Sequence, residues 1–309
     1  MRLILIALAT ALAAAPLAGY AQSTQTGEPK ARDQKAVLVT GASTGIGRNI
    51  TESLAAKGYF VYAGARKQAD LDALNAIENV QAIRLDVTRQ DEIDAAVATV
   101  KKAGRGLDGL VNNAGIATIA PITDTSEKEF DLVMQVNAYG PYRVTRAFAP
   151  LIIEQKGRIT TIGSISGILA SEKLGVYAMS KHAVEAFGDA LAAQMEPLGV
   201  QVSIVEPGNF DSEIGRNATQ RSGKETGFAD RSQYEKPDAV AVAVEHALFG
   251  EKPKRRYMVV PNQQEAEWTI RKQIEQLVQL NEGQSYTYDR ATLVKMLDDA
   301  MVNARPKSP

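Results

Sequence analysis

The sequence predicts an α/β fold: a doubly wound parallel sheet of about seven strands, covered by helices on both faces. Three observations carry this. Seven short apolar runs alternate with helix-length segments between residues 35 and 262. Most of those runs are continuously apolar rather than alternating, which marks strands buried on both faces. A glycine-rich turn, Thr40-Gly41-Ala42-Ser43-Thr44-Gly45-Ile46-Gly47, separates the first run from the first helical pattern.

The strands are expected at Ala36–Thr40, Tyr59–Gly64, Val80–Leu85, Leu107–Asn112, Arg158–Gly163, Val200–Val205 and Tyr257–Val260. Helical patterns between them include Gly45–Lys57, Asp91–Ala103, Ser126–Glu154 and Val176–Pro197. After Pro261 polarity returns, and Gln263–Leu280 and Tyr288–Val302 read as two amphipathic helices. The division is a leader at 1–21, a polar linker at 22–34, a sheet domain at 35–262 and a helical extension at 263–309.

Arg2 precedes the apolar run Leu3 to Gly19, and Gly19-Tyr20-Ala21 places small residues where a signal peptidase cuts. This is the pattern of a secretory signal peptide cleaved after Ala21, and it implies an exported, periplasmic product. The alternative is an uncleaved anchor, with Lys30, Arg32 and Lys35 holding the domain on the cytoplasmic side. The run is short for a spanning helix, which favours export.

Composition narrows the chemistry. The 309 residues are 45% hydrophobic and 23% charged, as in a globular protein. With 35 basic and 36 acidic residues the net charge is −1, and nothing favours a nucleic-acid partner. There are no cysteines and only two histidines, His182 and His246, so no metal site and no serine–histidine triad is expected.

Gly41, Gly45 and Gly47 follow a strand and open a helix, the setting in which backbone amides and a helix N-terminus receive a pyrophosphate. Ser43, Thr44 and Ile46 complete this turn as cofactor contacts. A ribose-binding acid is expected at the end of the second strand, about 20 residues beyond the glycines. The chain has Ala63-Gly64-Ala65-Arg66-Lys67 there, so Arg66 would face a 2′-phosphate, and NADP(H) is favoured over NAD(H). Asp86 and Val87 follow the third strand, where Asp86 can accept from the adenine amino group. Asn112-Asn113-Ala114-Gly115 ends the fourth with small residues, letting backbone pass close to a cofactor.

Ser164, Tyr177 and Lys181 lie beyond that end of the chain. Tyr177 and Lys181 are four residues apart and share a helix face. An ammonium beside a phenol favours the phenolate, so Lys181 would tune Tyr177 as a proton carrier. Ser164 would donate to the oxygen of a small carbonyl or alcohol substrate, which Ser164 and Tyr177 together would contact.

In this order the motifs T-G-x3-G-I-G, N-N-A-G, a serine, Y-x3-K and P-G resemble the classical short-chain dehydrogenase/reductase family over residues 35–262. The resemblance implies a Rossmann-type fold and a hydride transfer between NADP(H) and a secondary alcohol or ketone. It also implies a fourth catalytic residue at Asn137, whose backbone would hold a water leading from Lys181 to solvent. Pro207 and Gly208 would lie beside the nicotinamide, and Ser212 would stand where the family often contacts the carboxamide. Tyr59–Arg66 and Tyr177–Phe210, with Glu206 before Pro207, are most similar to the branch of hydroxysteroid and retinol dehydrogenases. A homodimer or homotetramer pairing through Ser126–Glu154 and Val176–Pro197 is implied as well. The other reading is a nucleotide-binding regulatory protein that has lost the reaction, and its mark would be a broken Ser–Tyr–Lys set. Asn209–Lys236 is polar and aperiodic and would form a lid over the substrate. Trp268 is expected to anchor packing of the C-terminal helices.

Overall fold

The computed structural model describes residues 34–222 and 231–304. The expected leader and residues 223–230 of the expected lid Asn209–Lys236 lie outside the described residues, as does the linker except Gln34. The Gln34 amide donates to the Gly58 carbonyl at 2.8 Å and to Asn79 Oδ1 at 2.9 Å.

Seven strands form one sheet: β1 (Ala36–Val39), β2 (Phe60–Ala65), β3 (Val80–Arg84), β4 (Gly109–Asn112), β5 (Arg158–Ile162), β6 (Gln201–Pro207) and β7 (Arg256–Val259). All neighbours pair in parallel, in the order 3-2-1-4-5-6-7. The chain runs outward from β1 to β3 and then returns to β4 on the other side of β1. Loops leaving β1 and β4 therefore diverge, and a crevice opens at the carboxyl ends of these two strands.

Helices α1 (Gly45–Ala56), α2 (Gln68–Asn75), α3 (Gln90–Ala103), α4 (Glu127–Asn137), α5 (Tyr139–Glu154), α6 (Gly175–Met195), α7 (Ile214–Ser222), α8 (Asp238–Phe249), α9 (Gln263–Asn281) and α10 (Arg290–Ala304) complete the described chain. Every residue of β1 is fully buried, and its side chains divide between two apolar layers. Ala36 and Leu38 belong to the layer with Ile93, Val144 and Phe148, and Val37 and Val39 to the layer with Ile50, Leu54 and Val244. Burial on both faces is why the strands read as unbroken apolar runs.

Three features depart from the sequence pattern. The helix expected over Ser126–Glu154 is two helices, with Ala138 (φ −107°, ψ −56°) at the junction. Pro141 has no N–H to donate to the carbonyl of Asn137, so the hydrogen-bond ladder fails at that step. Gly140 lies so close to Val87 that a Cβ would meet its Cγ2 at 2.8 Å, which fixes where the second helix begins. Second, α8 (DAVAVAVEHALF) was hidden because it alternates small and β-branched residues and has little polar face. Third, Trp268 is half exposed and anchors no core; the buried residues of α9 are Glu265 and Thr269.

Candidate active site

The crevice is one continuous cleft running from the glycine turn to the start of α6. Gly41 (φ +65°) and Gly45 (φ +55°) hold left-handed conformations that favour glycine. A Cβ on Gly47 would overlap the Gly41 carbonyl oxygen and the Asn113 amide, so the turn can close only without a side chain there. No side chain caps the N-terminus of α1, and its first turn carries no acidic residue. Its amides therefore face the cleft unpaired by protein side chains, as a phosphate requires. Ser43, Thr44 and Ile46 line the same end, and Ser212 approaches Gly45 from the opposite wall.

The far wall is tied to this turn by a clamp that the sequence motifs do not reveal. Thr40 Oγ1 accepts from the amides of Asn113 and Ala114 at 2.9 and 3.0 Å. The Asn113 side chain returns the connection, donating to the carbonyls of Thr40 and Gly41 at 2.9 and 3.1 Å. Gly115 follows at a point where a Cβ would meet only ordinary contacts, so space rather than backbone strain distinguishes it.

Asn137, at the end of α4, does not line the cleft but holds its parts together. Its Oδ1 accepts from Ile116 N at 2.9 Å, and its Nδ2 donates to Ile116 O at 2.8 Å and to Ser180 Oγ at 2.9 Å. Ser180 Oγ in turn donates to the Tyr177 carbonyl at 2.6 Å. The side chain is thereby spent on architecture. Its backbone carbonyl lacks an i+4 donor because that position is Pro141.

Ser164 lies just past β5, and Tyr177 and Lys181 share a face of α6; all three line the cleft. Lys181 Nζ donates to the Ile162 carbonyl at 2.9 Å and lies 5.6 Å from the centroid of the Tyr177 ring. Burial pushes its pKa down to about 8, against the opposing charge of Glu185. Burial raises the Tyr177 phenol above its ordinary value, while a hydrogen bond from Ser164 and the charge of Arg231 draw it back. Ser164 and Arg231 thus act on the phenol in the same sense expected of Lys181, whose ammonium stands beside the same ring.

At the other end Arg66 follows β2 on the rim and is largely exposed, with Nη1 3.8 Å from Asp86 Oδ2. Asp86 Oδ1 accepts from the Thr88 amide and hydroxyl at 2.9 and 2.7 Å, which leaves Oδ2 directed at the cleft end near Arg66. Val87 is buried beneath it against Gly140. The cradle, the uncapped helix and the rim arginine fit a dinucleotide phosphate.

Pro207 and Gly208 form the remaining wall, braced by a residue that no motif marked. Glu265 of α9 is buried; its Oε2 accepts from Asn209 N at 2.9 Å, and its Oε1 from Asn209 Nδ2 at 3.1 Å. A Cβ on Gly208 would overlap that carboxylate. Asn217 of α7 and Arg231 also line the cleft. His182 is exposed, and Glu213 pairs with Arg216 at 2.9 Å, so neither joins the cluster.

Sheet order, cradle and Ser–Tyr–Lys cluster together define an open α/β dinucleotide-binding protein. The chain belongs to the short chain dehydrogenase family, whose model matches residues 35–223. It is 40% identical over 198 residues to the mitochondrial D-beta-hydroxybutyrate dehydrogenase of Rattus norvegicus, covering 60% of this chain and 57% of that one. The chain thus spans little more than half the length of that relative. It is 32% identical over 232 residues to the uncharacterized oxidoreductase YbbO of Escherichia coli K12, covering 73% of this chain and 86% of that one. A short chain dehydrogenase from Burkholderia cenocepacia J2315, solved in complex with NADP, superposes with a TM-score of 0.65 at 25% identity, covering 79% and 95% of the two chains. One from Burkholderia phymatum, solved with NAD, superposes with a TM-score of 0.71 at 22% identity, covering 83% and 99%. Among the described residues no helix is long and apolar enough to cross a membrane, and no group of acidic or histidine side chains is placed to hold a metal.

Proposed function

We propose that the protein is an oxidoreductase that interconverts a secondary alcohol and a ketone, using NADP(H) in preference to NAD(H), with Tyr177 as general acid and base. The observation that carries this reading is the single cleft joining the uncapped, glycine-lined N-terminus of α1 to Ser164, Tyr177 and Lys181. The NADP held by the related Burkholderia cenocepacia structure supports the cofactor class.

When bound, the nicotinamide supplies or accepts the hydride at the carbonyl carbon. The chain's own groups do the rest. The amides of residues 44–47 would hold the pyrophosphate, and Arg66 would hold the 2′-phosphate as a charge-assisted pair. Ser164 donates a hydrogen bond to the substrate oxygen, and Tyr177 gives that oxygen a proton in reduction and removes it in oxidation. Lys181 carries positive charge at neutral pH, even with its pKa at about 8, and the free backbone carbonyl of Asn137 would hold a water leading from it to solvent.

The test is absorbance in the reduced-nicotinamide band with a panel of ketones and secondary alcohols. Wild-type turnover is expected, with kcat reduced roughly 10²–10⁴-fold in Tyr177→Phe. Equal turnover by wild type and Tyr177→Phe would overturn the tyrosine mechanism.

A further inference from the structure

Arg231 stands at the chemical end of the cleft with no anionic partner among the described residues. It lines the same space as Ser164, Tyr177 and Lys181. Its guanidinium donates to two neutral acceptors, the Phe210 carbonyl at 3.4 Å and Asn209 Oδ1 at 3.2 Å, and both bonds are long. Its Nε is buried and has no partner. The Tyr234 ring lies 5.4 Å from the guanidinium carbon. A cation held only by long hydrogen bonds to neutral acceptors keeps its capacity to pair with an anion.

The two carboxylates that line the cleft have other partners among the described residues. Glu213 pairs with Arg216, and Asp86 sits at the opposite end with Arg66 and Thr88. Glu185 and Glu206 lie against Arg256, behind β6. Among the described residues no carboxylate pairs with Arg231, and the side chains lining the cleft around Ser164 and Tyr177 include two cations, Lys181 and Arg231. Lys181 is held by the Ile162 carbonyl. The planar fork of an arginine matches a carboxylate with two parallel hydrogen bonds.

We propose that the substrate is an anion, a short hydroxy acid or the corresponding oxo acid, and that Arg231 binds its carboxylate while the hydroxyl or carbonyl faces Ser164 and Tyr177. This rests on the oxidoreductase reading above and names its substrate class. Arg231 is held by Asn209 and Phe210, immediately after Pro207–Gly208, whereas the phosphate cradle is at Ser43–Gly47; its ligand is therefore the substrate rather than the pyrophosphate.

The experiment compares 2-hydroxybutyrate, 3-hydroxybutyrate and 4-hydroxypentanoate with their methyl esters, in wild type, Arg231→Gln and Arg231→Lys with NADP⁺. At least one acid is expected to exceed its ester in kcat/KM by about ten- to a hundredfold, the range for a charge-assisted pair. Arg231→Gln should collapse that acid-to-ester ratio toward one, and Arg231→Lys should retain part of it. NADP⁺ affinity, followed by fluorescence titration, should change less than threefold. Turnover of esters and neutral alcohols with no preference for any acid, or a ratio untouched by Arg231→Gln, would overturn the carboxylate site and leave the oxidoreductase reading standing. A loss of NADP⁺ affinity as large as the loss on the acid would assign Arg231 to the cofactor and overturn it too. Absence of turnover on acids, esters and neutral alcohols alike would overturn both readings together.

Discussion

Glu265 offers the sharpest test of how the site is built, because it reaches the cleft from a helix that no motif connects to it. Its Oε2 accepts from the backbone N–H of Asn209 at 2.9 Å; its Oε1 accepts from Asn209 Nδ2 at 3.1 Å and Asn262 Nδ2 at 3.2 Å. In Glu265→Ala all three donors lose their acceptor. The two amide side chains can turn toward water, but the Asn209 N–H is fixed by the chain following Pro207–Gly208. One orphaned buried donor costs about 1–3 kcal/mol, and hydrogen bonds to a charged group lie at the upper end, so a loss of roughly 2–4 kcal/mol is expected. For a domain of this size each kcal/mol moves Tm by about 2–4 °C, which gives a drop of roughly 4–16 °C by calorimetry. Function should follow, because Asn209 Oδ1 is the acceptor that holds Arg231. Freeing Asn209 should raise KM for the substrate by more than it lowers kcat. Glu265→Gln keeps the shape and one acceptor, so it should fall between wild type and alanine in both measurements. A Glu265→Ala protein that melts within 1 °C of wild type with an unchanged KM would refute the bracing role.

Glu206 is buried on β6 with Arg256 Nε at 3.4 Å, and burial together with the charge of Glu185 pushes its pKa up to about 7. A raised carboxyl favours the fold while protonated, so its contribution is full below the ordinary value near 4.5 and fades as pH rises through 7. Wild type should therefore lose about 2–3 kcal/mol between pH 5 and 8, and Glu206→Gln should show a flatter stability curve there; parallel curves by urea unfolding would refute the assignment. Arg66→Ser should lower the preference for NADP⁺ over NAD⁺ by about ten- to a hundredfold in kcat/KM, and an unaltered ratio would remove Arg66 from cofactor selection. Gly47→Ala places a methyl group against the Gly41 carbonyl and the Asn113 amide, so cofactor affinity by fluorescence titration should fall at least tenfold. Wild-type affinity in that variant would mean that the turn is looser than its geometry.

The sheet was legible because burial on both faces leaves a mark that survives without any knowledge of partners. Val37 and Leu38 point into different apolar layers, yet both must be apolar, and seven such runs leave little choice of architecture. Gly41, Gly45 and Gly47 were legible for a related reason: backbone that must take a positive φ or pass another backbone tolerates no side chain. The Tyr177–Lys181 spacing followed from the helical repeat alone. The break after Asn137 was harder to read, since Tyr139–Glu154 continues a sound helical pattern. Only the missing N–H of Pro141, taken with the close approach of Gly140 to Val87, locates the interruption.

Glu265 and Arg231 were not legible because their roles depend on contacts between distant parts of the chain. Glu265 is 56 residues from Asn209, and in the sequence it is one more acid in the first turn of a polar helix, where such residues are commonplace. Arg231 lies in a polar, aperiodic stretch where an arginine ordinarily means solvent. The structure turns the two into a relay of position: Glu265 fixes Asn209, Asn209 holds Arg231, and Arg231 faces the cleft beside Tyr177. The appended look of the C-terminal helices is therefore misleading for α9. Its first turn braces the wall beside Pro207–Gly208, so a change there should be felt at the substrate before it is felt at the phosphate cradle. That order of effects separates a brace of the chemical end from a general support of the fold, which would weaken both ends alike.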